Sequence, residues 1–207
     1  LNSQQHCTFG LVAKGKEALA YAKKHPHLGT VQRAGAAALT ADDIAAIHMY
    51  TYAYPEAFYA RLNEELGNYS SGEGRKVVEH FLPYTKLLLS ALDKLPPVAM
   101  TLFRGSTMGC EALLRRGICE GDHVSWNQFI SCSTTPNVLK TFLGEKTAGT
   151  VFQVVSVAGV KIQAYSAFPD EAEVLLPAGS KFVVDKISQT TAHGVTEVRM
   201  RQLLRER

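Results

Sequence analysis

A double proline divides the chain into two halves with different hydrophobic patterns. Leu95-Pro96-Pro97 lies near the middle of the 207 residues, and proline interrupts helices because it lacks an N–H donor and its ring clashes with the preceding turn. Before the break, apolar residues recur at the three- and four-residue spacing of helices. After it, β-branched and aromatic residues cluster between glycines and prolines. Helices followed by strands predict an α+β fold.

The first half predicts several helices. Thr40 followed three residues later by Asp43 is typical of a helix N-terminus. Pro55 is expected to start a further helix, since proline is tolerated in the first turn. The glycine- and serine-rich residues 70–74 predict a loop. Pro83 either starts a separate helix or kinks one long helix.

The second half predicts strands that are rich in β-branched and aromatic residues. The alternation of apolar and polar residues in 194–203 suits an edge strand. The other predicted strands lie within residues 98–105, 127–135, 149–157, 171–177 and 180–187.

Composition and charge limit the possible partners. Hydrophobic residues make up 46% of the chain and charged residues 20%, as in globular proteins. The formal charge of +3 is too small to indicate a nucleic-acid partner, although it suits an anionic small ligand. The sequence predicts no membrane span because no apolar run is long enough. The chain begins at Leu1 rather than at methionine, so the lack of a signal peptide is uninformative about secretion.

The cysteines and histidines do not predict a metal site. Cys7, Cys110, Cys119 and Cys132 form no CxxC pair. Two disulfides and four free thiols both remain open. The histidines, including His123 and His193, lack metal-ligand spacing. We therefore expect surface or hydrogen-bonded core histidines and no metal.

Three strand-borne polar sites are candidates for chemistry. The first is Arg104, at the end of an apolar strand and followed by Gly105. The planar guanidinium suits bidentate phosphate binding, and glycine lets a ligand approach the backbone. An arginine paired with a core carboxylate is the alternative.

The second site is a pair of serines on one predicted strand. Ser131 and Ser133 share a face because side chains alternate along a strand. No histidine lies close to these serines in the sequence, so the sequence does not indicate a histidine-activated serine nucleophile. We therefore interpret both hydroxyls as hydrogen-bonding groups, although polar strand faces are common.

The third site is a pair of carboxylates, Glu171 and Glu173. On an extended backbone, residues two apart point the same way. Close like charges repel, which can raise one pKa. The arrangement favours a cation or polar ligand nearby, and a solvated acidic turn is the alternative.

In this order, the three sites resemble the arginine–serine–glutamate class of ADP-ribosyltransferases, which includes arginine-modifying bacterial toxins and vertebrate ecto-enzymes. Arg104, the stretch 129–133 around Ser131, and Glu171-Ala172-Glu173 are similar to the family motifs. Cys132 departs from the usual threonine, and its side chain is expected to point away from the Ser131 face. The wider similarity covers roughly residues 40–200 and includes three further stretches, 47–66, 91–105 and 164–184.

The resemblance implies a fold and a domain division. It implies an α+β fold of N-terminal helices packed on a two-sheet, mainly antiparallel β core. Residues 39–207 are then a single catalytic domain. Residues 1–38 match nothing familiar and form an N-terminal extension, either a linker or a helix packed on the core.

The resemblance also implies how NAD⁺ is bound as a substrate. Arg104 would hold a phosphate, and backbone groups of Gly105 would hold the nicotinamide amide. Ser131 would orient Glu173, which would bind the ribose and stabilise the cationic transition state. Ser133 and Phe142 are the remaining candidate NAD⁺-binding residues.

The acceptor would be recognised by the residues around the first glutamate. Glu171 would bind the incoming guanidinium, and a glutamate there is the family's mark of arginine specificity. Tyr165 and Phe168 precede it in a loop that the family uses for acceptor recognition. Packing within the loop is the alternative for Tyr165. Trp126 is expected in the core.

The predicted activity is transfer of ADP-ribose from NAD⁺ to an arginine of a target protein. NAD⁺ hydrolysis and a non-catalytic NAD-binding module are the alternatives. The predicted partner is a protein carrying the acceptor arginine, met by a monomeric enzyme without nucleic acid, metal or membrane span. A secreted, host-delivered or cell-surface location is expected.

Overall fold

The computed structural model of the chain describes residues 3–52, 58–68, 72–106, 118–136, 149–190 and 195–204. It divides into two compact units. Unit 1 comprises Leu1–Pro96 and Ile162–Asp170, and unit 2 comprises Pro97–Lys161 and Glu171–Arg207. The chain therefore leaves unit 2 after Lys161, contributes nine residues to unit 1, and returns at Glu171.

Unit 1 is helical. The described residues form α1 (Ser3–Ala22), α2 (Ala41–Tyr50), α3 (Phe58–Gly67) and α4 (Gly72–Asp93). α1 is followed by His25-Pro26, and a residue before proline disfavours helical geometry. α1 and α2 pack together, with the rings of Tyr21 and His48 stacked 3.8 Å apart between centroids. Residues 1–38, whose role the sequence left open, therefore include a helix, α1, that is part of unit 1.

The predicted N-terminus of α2 is confirmed. Thr40 Oγ1 accepts a hydrogen bond from the Asp43 amide at 3.2 Å, and the Thr40 amide donates to Asp43 Oδ2 at 2.8 Å. This reciprocal capping box satisfies donors that a helix start leaves free.

Two helix predictions needed the structure to settle them. The predicted loop at 70–74 is wrong at residues 72–74, because α4 begins at Gly72 and the amphipathic helix that follows outweighs the low helix propensity of glycine. Pro83 lies inside α4, so it does not start a separate helix. The expected helix start at Pro55 lies outside the described residues.

Unit 2 is built from strands. They are β1 (Pro97–Ser106), β2 (His123–Trp126), β3 (Ile130–Ser133), β4 (Gly149–Lys161), β5 (Glu173–Leu176), β6 (Ser180–Thr190) and β7 (Val195–Gln202). Their order is β1-β3-β5-β4-β7-β6-β2, with β1 also paired to β4. All pairs are antiparallel except β4 with β7. The predicted α+β class and mainly antiparallel pairing are confirmed.

The sheet departs from the predictions in connectivity. Where two sheets were expected, the described strands form one hydrogen-bonded network, in which β5 joins β3 to β4 and β1 pairs with both. The edge-strand prediction for 194–203 is wrong, since β7 lies between β4 and β6. Alternation in β7 reflects one buried and one exposed face, and it carries no information about whether both strand edges are paired. The short β2, which pairs with β6, was not predicted.

The core of unit 2 is formed by buried side chains of its strands. Trp126 packs partly buried against Phe152 and Phe182, as expected for a core residue. The central buried side chains include Leu102, Cys132, Val154, Val174, Phe182, Val198 and Met200. None of the described helices has the length and apolar character needed to cross a membrane.

Candidate active site

Arg104 reaches the site from β1. The strand forms because residues 98–103 are apolar or β-branched, and it pairs with β4 along almost its whole length. The half-buried Arg104 side chain donates from Nη1 to the carbonyl of Ser131 at 2.8 Å. Among the described residues its hydrogen bond goes to a neutral carbonyl, while its charge also acts on the buried Glu173 carboxylate. This bond uses one of the five guanidinium N–H groups and holds the side chain beside β3.

The two serines of β3 have different roles in the structure. Ser131 is hydrogen-bonded through its side chain to the carboxylate of Glu173. Ser133 is buried, and its Oγ accepts a hydrogen bond from the Thr135 amide at 3.1 Å. Ser133 also pairs with Glu173 in the β3–β5 register and with Phe103 of β1. Ser131 therefore orients the glutamate, while Ser133 terminates the strand locally.

Glu173 is the buried carboxylate of this group. It opens β5 and is 7% exposed. Burial raises its pKa above the ordinary glutamate value, and the neighbouring Glu171 carboxylate adds to this; the Ser131 hydrogen bond and the Arg104 charge oppose the shift in pKa without cancelling it. A raised pKa at a carboxyl group held by a specific donor is typical of functional sites.

The backbone between the two glutamates corrects the expectation of an extended strand. Glu171 ends a short 3₁₀ turn, Pro169–Glu171, and Ala172 has a φ of 46°. The two carboxylates therefore do not share a face through strand alternation. They still interact electrostatically, with Glu171 exposed and Glu173 buried. A non-glycine residue in the left-handed region is strained, and such strain clusters at functional sites.

The residues expected to recognise the acceptor differ in exposure. Phe168 is 42% exposed, whereas Tyr165 is 3% exposed with its ring stacked on His25 at 5.1 Å between centroids. The burial of Tyr165 favours the packing alternative for that residue. Gly105 is buried in β1. Phe142 lies outside the described residues.

Cys132, where the family usually has threonine, leaves the contacts among Arg104, Ser131 and Glu173 intact. Its side chain is buried in the core of unit 2, and burial raises the pKa of its thiol to about 12. Cys132 and the exposed Cys119 are free thiols, which rules out two disulfides among the four cysteines. Cys110 and the side chain of Cys7 lie outside the description.

Histidines are held by hydrogen bonds where they are buried. His48 and His25 both bond to backbone carbonyls of unit 1, and His123 is exposed on β2. His193 is not among the described residues. Within the part of the chain that the structure describes, no three or more His, Cys, Asp or Glu side chains are placed to hold a metal ion.

The site thus combines a guanidinium, a hydroxyl and two carboxylates from distant parts of the sequence. Arg104, Ser131 and Glu173 are brought together by the β1–β3–β5 pairing. Sequence reasoning missed the contacts that hold residues 162–170 on the helices of unit 1. The histidines that make these contacts looked unremarkable in the sequence, since their spacing points to no ligand.

Comparison with known proteins gives one consistent family. The sequence model of the family described as NAD:arginine ADP-ribosyltransferase matches residues 14–205. The chain is 32% identical over 148 residues to Mav of Mycobacterium avium (strain 104), a candidate NAD(+)–arginine ADP-ribosyltransferase. It is 29% identical over 161 residues to human ecto-ADP-ribosyltransferase 5.

These alignments cover most of this chain but less of the relatives. They include 70% and 72% of this chain, against 16% of Mav and 51% of the human protein. The crystal structure of the ADP-ribosyltransferase HopU1 of Pseudomonas syringae pv. Tomato DC3000 superposes with a TM-score of 0.69 at 23% identity. That superposition covers 80% of this chain and 78% of HopU1, and it supports the fold.

Proposed function

The chain belongs to the NAD:arginine ADP-ribosyltransferase family, and from that premise we propose that it transfers ADP-ribose from NAD⁺ to arginine side chains of proteins, releasing nicotinamide. The observation that supports this most directly is the buried Glu173 carboxylate, which is bonded to Ser131 and lies within the electrostatic reach of Arg104 and Glu171. NAD⁺ is the substrate, and the proposed chemistry requires no metal.

Glu173 would stabilise the developing positive charge. The bond between ribose C1′ and the nicotinamide nitrogen breaks with its electron pair leaving on nicotinamide, so C1′ acquires oxocarbenium character. A fixed carboxylate in a buried site stabilises such a charge more strongly than it would in water. The Ser131 hydrogen bond restricts the carboxylate rotamer, so the negative charge is aimed before the substrate arrives.

Arg104 and the strand around it would hold the substrate. The guanidinium already donates to the Ser131 carbonyl, and its remaining N–H groups suit the diphosphate of NAD⁺. Gly105 is the next residue of β1, where backbone groups would hold the nicotinamide amide. We also keep Ser133 and Phe142 as candidate NAD⁺-binding residues, with Ser133 acting through the β3–β5 pairing.

Glu171 would select the acceptor. Its carboxylate is exposed, and a carboxylate matches a guanidinium in charge and in fork geometry. A new bond forms between a guanidinium nitrogen and C1′, and that nitrogen must lose a proton. Glu171 would receive it, so the positive charge that the departing neutral nicotinamide leaves on C1′ is finally lost as that proton. Phe168 is the exposed aromatic residue available to pack on the target protein.

The test compares three glutamate variants in the intact chain with labelled NAD⁺ and a cell lysate. We expect Glu173→Gln to lower protein labelling roughly 10²–10³-fold, as for loss of one preorganised electrostatic group. Glu64→Gln, at an exposed position of α3, is the matched control and is expected to label normally. Unchanged labelling by Glu173→Gln would remove the proposal.

Glu171→Gln separates transfer from hydrolysis. We expect it to suppress arginine modification far more than NAD⁺ consumption. Equal loss of both activities would show that the role given to Glu171 is wrong. Wild-type NAD⁺ consumption without any protein labelling would instead indicate a glycohydrolase, and no consumption at any enzyme concentration would indicate a binding module.

The partner and location follow as further parts of the proposal. The acceptor is an arginine of another protein. The enzyme is a monomer, and it acts outside the cytosol of the producing cell. One relative is named as an ecto-enzyme, which agrees with this location. Mass spectrometry of labelled proteins identifies the acceptor and its compartment together, and size-exclusion chromatography with light scattering tests the oligomeric state.

A further inference from the structure

The segment of residues 162–170, which precedes Glu171 in the chain, is held through its backbone. The carbonyl of Ala164 accepts hydrogen bonds from His25 Nε2 at 2.9 Å and from the Tyr21 hydroxyl at 3.2 Å. The carbonyl of Tyr165 accepts one from His48 Nδ1 at 2.8 Å. The donors come from α1, α2 and the turn after α1, although more than 110 residues separate them from the segment.

Thr51 makes a further contact to the segment and is also hydrogen-bonded to His48. Its buried hydroxyl donates to the carbonyl of His48 at 2.8 Å and accepts from the amide of Ala167 at 2.8 Å. The end of α2 therefore supplies one donor and one acceptor to backbone groups of residues 165 and 167. Phe168 follows directly, and its own amide donates to Ser166 Oγ at 2.9 Å.

Buried side chains and hydrogen bonds together hold this segment, since Ile162 is 0% and Tyr165 is 3% exposed. An open groove of about 620 Å³ runs along it, lined by Tyr21, His48, Gln163, Ala164, Ser166 and Ala167 with Pro169. On that side the described residues place no close-packed covering on the segment, and there the hydrogen bonds of His48 and Thr51 help to fix its backbone path. A buried amide without a partner costs free energy, which favours the bonded conformation over alternatives.

We infer that Thr51 and His48 are positioning residues for acceptor recognition, acting by fixing the backbone of residues 165–167 so that the exposed Phe168 is presented in one conformation. The inference rests on the proposed transferase function. Neither residue would touch NAD⁺ or the reacting atoms. Losing either bond would leave the acceptor-binding arrangement populated for only part of the time, which weakens apparent affinity by that fraction.

The experiment measures transfer kinetics and NAD⁺ hydrolysis on the same preparations. Thr51→Val keeps the shape of the side chain but removes both hydrogen bonds. We expect it to raise KM for the protein acceptor roughly tenfold, which corresponds to about 1.4 kcal/mol, with the rate of NAD⁺ hydrolysis changed less than about twofold. Thr51→Ser restores the hydroxyl and is expected to restore KM.

A second pair of variants guards against poor folding of the first. His48→Phe keeps a ring to stack on Tyr21 but removes the donor to Tyr165. His48→Asn can supply an N–H close to the Nδ1 position. We expect the raised acceptor KM in His48→Phe and partial recovery in His48→Asn. Hydrogen exchange of the Ala167 amide is expected to quicken in Thr51→Val and not in Thr51→Ser.

The outcomes separate this inference from the proposed function. An active wild type whose acceptor KM is unchanged in Thr51→Val and His48→Phe would overturn the inference alone. Equal losses of transfer and hydrolysis in both variants would also overturn it, since that indicates general damage. A wild type that transfers nothing to arginine overturns the proposed function, and the inference with it.

Discussion

Among the described residues, each unit buries one carboxylate, and the surroundings shift the two pKa values in opposite directions. Asp43 of unit 1 is 1% exposed and Glu173 of unit 2 is 7% exposed. Burial alone would raise both pKa values. At Asp43, hydrogen bonds from Lys94 and Thr40 reverse the effect and the pKa is lowered. At Glu173, a neighbouring carboxylate adds to the effect of burial and the pKa is raised.

The difference distinguishes a buried charge that has a cationic hydrogen-bond partner from one that we propose serves catalysis. Asp43 is paired with Lys94 and completes the capping box of α2, so its negative charge stabilises the fold. Glu173 accepts a hydrogen bond from Ser131 and feels the charge of Arg104, but burial and the like charge of Glu171 outweigh both. Its charge is therefore costly in the resting fold, and under the proposed mechanism it would become favourable when a positive charge develops beside it.

The largest expected effect is a separation of activity from stability at Glu173. Glu173→Gln keeps the shape and can still accept a hydrogen bond from Ser131. We expect activity to fall roughly 10²–10³-fold, while the Tm at neutral pH stays equal to wild type or rises because a costly charge is removed. Calorimetry beside the labelling assay checks both. A Tm clearly below wild type would show that the Glu173 charge stabilises the fold.

Asp43→Asn is expected to give the opposite result. It removes the charge paired with Lys94 and weakens the capping box, so we expect a loss of about 1–3 kcal/mol in the free energy of unfolding. Activity per folded molecule should be unchanged well below the Tm. Asp42→Asn, exposed in the same first turn, is the matched control. Chemical denaturation measures both, and equal effects at the two positions would contradict the pairing argument.

The sequence could predict local features of both units, but not the environments that distinguish them. The Thr40–Asp43 cap and the strand carrying Arg104 follow from neighbouring residues. The burial of Glu173 and the interior place of β7 depend on pairing between distant segments, which periodicity does not report. The partner of Asp43 is Lys94, 51 positions along the chain, and nothing near either residue indicates the contact. The ordered polar motifs indicated the candidate residues, and only the fold shows which buried charge is compensated by a partner.

The pH dependence of stability should separate the same two carboxylates. For Asp43 the folded pKa is lowered, so its contribution is present above its unfolded value near 3.9 and is lost as pH falls through the folded pKa. For Glu173 the folded pKa is raised. Its ionisation therefore costs stability above that pKa, and the cost disappears as pH falls toward the unfolded value near 4.3.

The measurement compares Tm differences across pH. The advantage of Glu173→Gln over wild type should shrink toward zero between neutral pH and about 4.3. The deficit of Asp43→Asn should persist through that range and shrink only below it. A Glu173→Gln advantage that stays constant with pH would contradict a charge-based origin.

The smallest expected effect lies at Ala172, the residue between the two glutamates. Its φ of 46° is left-handed, where glycine fits without strain but is more disordered when unfolded. These contributions oppose each other, so Ala172→Gly should change the free energy of unfolding by less than about 1 kcal/mol. Ala172→Val keeps the backbone demand and adds a β-branched side chain, so we expect a loss of about 1–2 kcal/mol.

Because Glu173 is held by Ser131 and Glu171 is not held by that bond, Ala172→Gly should affect arginine transfer more than NAD⁺ hydrolysis. Equal stability of the glycine and valine variants would contradict the left-handed backbone requirement at Ala172. It would also contradict this backbone as the cause of the different exposure of Glu171 and Glu173.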